Sequence, residues 1–145
     1  MNAIRARLPA VLAGFWWASL TTVGFFVVPM LFMHLQPPAV AGNLAARLFT
    51  GQTWIGVFCA MLLLALLRPR PDDEGMPVTT ATYRTIALVL AGVLLALLVE
   101  FAVAPRIVAR ENLKLWHGMG SAMYLVQWIC AASVFWRVLK PSTRG

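Results

Sequence analysis

Glu100 stands in an otherwise uncharged apolar run from Thr85 to Pro105. It lies about five residues inside the end of that run, roughly 7 Å along a helix axis. A carboxylate is costly in hydrocarbon, so intramembrane acids face a bundle interior or a water-filled cavity, where they take a proton or a cation. The competing reading is a protonated or hydrogen-bonded acid that only pins helices together. Four further polar residues, His34, Gln52, His117 and Ser121, fall at the same end of the other apolar runs. Ser121 follows His117 by four residues, so a helix puts both on one face. With Glu100 these four form the candidate polar site, in which the histidines complete a site around the carboxylate. Thr53 follows Gln52, and Gln127 lies deeper, where it can donate a hydrogen bond between helices.

Methionines accompany both histidines. Met30, Met33 and His34 form one cluster, and His117, Met119 and Met123 another. Thioethers and imidazoles are ligands for Cu(I), so the two clusters could hold copper. Histidines on two helices could instead be the axial ligands of haem b. Against both stands the use of methionine as ordinary membrane-core filler. No nucleophile elbow, P-loop, H-E-x-x-H or C-x-x-C is present, and no catalytic residue is assigned. The expectation is a non-enzymatic protein, with no cofactor as the simplest reading.

The elements that must position these residues are hydrophobic spans. Of 145 residues 61% are hydrophobic and 12% charged, about half the charged share usual in a soluble domain. The charges fall in short runs between uncharged stretches. Four segments, about 8–33, 48–67, 85–105 and 115–137, can each cross a hydrocarbon core of ~30 Å. Backbone groups in lipid must pair internally, so each segment is a helix. The fold class is therefore all-α: one transmembrane domain over residues 1–145, a four-helix bundle solvated by the lipid bilayer. The first segment is too long for a signal-peptide core and reads as a retained span. Cys59 and Cys130 lie within spans and behave as small hydrophobes.

A net charge of +7 would suggest nucleic acid in a soluble chain. Here the basic residues sit at span ends, where lipid head groups and orientation account for them, and nucleic acid is excluded. Eight basic residues fall on the side of both termini and of the 68–84 loop, and four on the other. The positive-inside rule places that loop and both termini in the cytoplasm. The loop carries Asp72, Asp73 and Glu74 among prolines and reads as a solvated hinge. Trp54, Trp116 and Trp136 suit interfacial aromatic belts.

Two prolines and several small residues shape the spans. Pro29 and Pro105 lack the amide hydrogen that Phe25 and Phe101 would receive, so each should kink or end its helix. Both close an F-x-V-x-P pattern, which suggests two parallel helical hairpins. Ala10, Gly14, Ala18 and Thr22 recur every four residues, as do the pairs Gly92 and Ala96, and Gly118 and Ala122. Such stripes let helices approach closely in lipid, so they should face the bundle interior or another protomer.

Val28-Pro29-Met30-Leu31-Phe32, then Ala41-Gly42-Asn43-Leu44 and Leu48-Phe49, resemble the first hairpin of the domain of unknown function 4149 family. His117 with Ser121 resembles its last helix. That bacterial family includes relatives of transmembrane protein 205, and the resemblance implies a four-helix membrane protein without an established activity. The layout is more loosely similar to copper-resistance D-like membrane domains and to HemJ-like haem proteins, with no ligand set transferred. The reading is a small bacterial inner-membrane protein, transport- or stress-resistance-related. The alternatives are a copper or haem protein using His34 and His117, and a structural or assembly subunit of a membrane complex. A homo-oligomer or a membrane partner is expected.

Overall fold

The computed structural model describes residues 3–68 and 80–139. The acidic part of the 68–84 loop lies outside them. Four long helices account for nearly all of what is described. Helix α1 covers residues 3–34, α2 Pro38–Leu67, α3 Thr80–Val108 and α4 Leu113–Leu139. Each is long and apolar enough to cross a membrane. The segment expected to begin at Leu48 is the inner part of a longer helix. Prolines at the start of α2 lack an amide that would be unpaired there anyway, so α2 can begin at Pro38.

Sequence neighbours pack side by side, and α4 closes the ring on α1. Two short turns, 35–37 and 109–112, share one end of the bundle, called here the short-turn end. The core takes Ala13, Trp16 and Leu20 from α1, and Cys59, Ala60 and Leu63 from α2. Val89 of α3 and Ala131 and Val134 of α4 complete it. Trp16 crosses the centre. A Cβ on Gly56 of α2 would lie 3.0 Å from its Nε1, and one on Gly92 of α3 only 2.7 Å from its Cη2. The indole therefore fits because two facing helices lack a side chain at those points.

Of the two effects expected of the prolines, a kink or a helix end, the second does not occur. Neither ends its helix: α1 runs on to His34 and α3 to Val108. A π-helical turn precedes each proline instead, Thr22–Val27 in α1 and Val99–Val103 in α3. The Val28 amide reaches back five residues to the Val23 carbonyl, and the Ala104 amide to that of Val99. The wider turn takes up the missing proline amide without breaking the rod. The F-x-V-x-P repeat therefore has a shared backbone form. The partner helices match as well: Gln52 lies fourteen residues after the start of α2, and Gln127 fourteen after the start of α4.

The small-residue stripes divide. Gly92 and Ala96 are buried, and Gly14 packs on Phe135 of α4. Ala18, Gly118 and Ala122 are exposed on the bundle surface. A four-residue spacing advances 400° and so drifts about 40° per step around a helix of 3.6 residues per turn. The α1 stripe thus leaves the interior between Gly14 and Ala18.

Candidate functional site

Polar contacts join the helices in one band between the middle of the bundle and the short-turn end. Thr50 of α2 donates its hydroxyl hydrogen to Glu100 Oε1 of α3, at 2.8 Å. Glu100 is half-buried and sits in the π-helical turn of α3. Such turns recur at functional sites because they displace a side chain from the regular helical register.

A second set of contacts holds three consecutive residues of α1 just before its own π turn. Gln52 of α2 donates from Nε2 to Ser19 Oγ at 3.0 Å. Tyr124 of α4 donates its hydroxyl hydrogen to the Leu20 carbonyl at 2.8 Å, and the Gly24 N–H points at the tyrosine hydroxyl oxygen. Trp128 of α4 donates from Nε1 to Thr21 Oγ1, also at 2.8 Å. Leu20 C=O and Gly24 N–H are the pair that a regular α-helix would join directly. The tyrosine hydroxyl takes the place of that bond, which is a recognised physical cause of a local helix distortion. Gly24 makes the insertion feasible: a Cβ there would fall 2.3 Å from Tyr124 Cε1. The Tyr124 ring meets Phe49 of α2 edge-on, with centroids 5.3 Å apart.

The candidate residues separate into two groups. Glu100, Gln52 and Thr53 belong to the buried or half-buried band. His34, His117 and Ser121 are exposed, and the structure does not bring them to Glu100. Met30, Met33 and Met119 are exposed as well, and Met123 is half-buried. Among the described residues no three His, Cys, Asp or Glu side chains converge as a metal site would require. A surface groove of about 500 Å³ is lined by Asn112, Lys114, Leu115, Gly118, Met119 and Ala122, so three of the candidate residues face it. Beside it, Arg106 stacks over Trp116 at 4.6 Å and donates to the Ala102 carbonyl in the π turn of α3.

Sequence reasoning missed Thr50, Ser19 and Tyr124. A hydroxyl within an apolar run looks like tolerated filler, and nothing in the chain announces which helices will be neighbours. Gly24, five residues before Pro29, was the available hint of a close approach.

With four apolar helices of spanning length, the chain is a multi-pass membrane protein in contact with lipid. No curated protein and no solved structure matches it. The family described as domain of unknown function (DUF4149) matches residues 11–115, which take in most of α1, all of α2 and α3, and the start of α4. On that match, covering well over half of its length, the chain belongs to the DUF4149 family.

Proposed function

We propose that this chain is a small, non-enzymatic transport-related protein of the bacterial inner membrane, with both termini in the cytoplasm, that takes a proton or small cation at Glu100. One observation carries the reading: a carboxylate within a spanning helix, set in a π-helical turn and addressed by the Thr50 hydroxyl at 2.8 Å. A single hydroxyl satisfies only part of a carboxylate's hydrogen-bonding capacity. The remainder is open to a proton or a cation, and an unneutralised acid at that depth is unfavourable. His34 and His117, exposed at the same end, stand where a cation would enter or leave.

The same contact also supports a second reading, an assembly subunit in which Glu100 only ties α3 to α2. Proteoliposomes containing a pH-sensitive dye separate the two. Under an imposed potential the wild-type protein is expected to carry protons, Glu100→Gln to lose the flux while keeping its melting temperature, and Thr50→Val to retain part of it. Undiminished flux in Glu100→Gln would remove the carboxylate from transport. No flux in the wild type, with a large loss of stability in Glu100→Gln, would favour the assembly role.

A further inference from the structure

Near the middle of the bundle, three helices bring polar groups together with bonding capacity left unused. Gln52 is 2% exposed, and its Oε1 has no hydrogen-bond partner among the described residues. Trp16 is fully buried, and its Nε1–H has none either. Gln127 of α4 is 3% exposed.

Register brings the residues that carry these groups to one level of the bundle. Helices α1 and α2 run antiparallel, and the bond from Gln52 to Ser19 sets them opposite one another. One turn further along α2 is Gly56, and one turn back along α1 is Trp16. A Cβ on Gly56 would lie 3.0 Å from Trp16 Nε1 and 3.7 Å from Gln127 Nε2. Two N–H donors, from α1 and α4, thus approach the same side-chain-free point of α2. Gln52, with its unpaired carbonyl oxygen, stands one turn away on the same helix.

Buried polar groups in apolar surroundings are normally satisfied, and buried water is the common means where direct partners fall short. We propose that Trp16, Gln52 and Gln127 form an internal binding site for one water molecule. That water accepts from Trp16 Nε1 and from the Gln127 amide, and donates to Gln52 Oε1. Turning the Gln52 amide over exchanges an unpaired oxygen for an unpaired nitrogen and leaves Trp16 as it was, so the site still holds a group for water to meet. The glycine is part of the site, because a methyl group at position 56 would fill the approach. The site stands whether or not Glu100 carries a proton.

The test uses the full chain in lipid nanodiscs. In the ¹⁵N-labelled wild type, the Trp16 indole N–H, assigned from Trp16→Phe, is expected to show a magnetisation-transfer cross-peak with a long-lived water. Trp16→Phe and Gln52→Leu should each lower the melting temperature, and the double variant should lose less than the sum. Trp17 supplies the reference, since its Nε1 is also buried and unpaired but its ring packs on Phe135 and Trp128. Trp17→Phe should leave the melting temperature unchanged or raise it, as removal of a true orphan donor does. If Trp16→Phe behaves like Trp17→Phe, the donor is an orphan and the site is overturned. A coupled loss with no water cross-peak means a direct Gln52–Trp16 bond, which also overturns it. Should Trp16→Phe fail to fold, the indole resonance is assigned by replacing the other five tryptophans, and the wild-type spectrum decides alone.

Discussion

Tyr124 does at the level of one residue what the flanking sequence of Pro29 only partly explains. Its hydroxyl occupies the Leu20-to-Gly24 step of α1, and Gly24 leaves room for the ring. Tyr124→Phe leaves two backbone groups in a half-buried place without their partner. The cost should be about 0.5–1.5 kcal/mol, the net worth of one such bond. Gly24→Ala drives a methyl into the ring at 2.3 Å and should cost about 1–3 kcal/mol, as overpacking does. Thermal denaturation in detergent measures both, and a Gly24→Ala protein as stable as wild type would refute the insertion. Glu100 was legible in the sequence because a carboxylate in an apolar run is conspicuous. Its partner Thr50 was not, since the pairing depends on the rotation of α2 about its axis, which packing sets.

Helices show where sequence reasoning is strong and where it stops. Hydropathy found four spans because lipid admits little else, yet it placed the start of the second span at Leu48 although the helix begins at Pro38. The ten added residues include Asn43 and Arg47, whose polarity hides a helix that continues beyond the apolar stretch. Spacing alone identified small residues but not their direction, since a four-residue stripe turns away from any fixed neighbour. Neighbouring atoms separate the glycines. Gly92→Ala collides with the Trp16 ring at 2.7 Å and should destabilise by about 1–3 kcal/mol. Gly42, Gly51 and Gly118 have nothing within 4 Å of an added Cβ. Alanine at each should be neutral or stabilising by up to ~1 kcal/mol, through its better helix propensity. Equal effects at Gly92 and Gly51 in the same denaturation assay would mean that Trp16 does not lie against α3.

For the molecule as a whole, the distribution of tryptophan gives a direct measure of what surrounds the bundle. Trp54 and Trp136 are 55% and 59% exposed, whereas Trp16 is completely enclosed by the four helices. Phe15, Phe26, Met61 and Leu94 are exposed in the same way along the helix shafts. A water-soluble protein rarely leaves so much contiguous apolar surface uncovered, and lipid chains cover it here. Variants retaining a single tryptophan, reconstituted with lipids brominated along the acyl chain, should therefore divide sharply. Emission from Trp54 and Trp136 should be strongly quenched, because bromine quenches at contact distance. Trp16 should be nearly unaffected and emit at shorter wavelength, as expected for an indole beyond the reach of bulk solvent. Comparable quenching of all three would place lipid inside the bundle and contradict the packing of Trp16 between Gly56 and Gly92. Protection of Trp54 alone would show that its face of α2 is covered by another protein, which fixes where a partner or second copy sits.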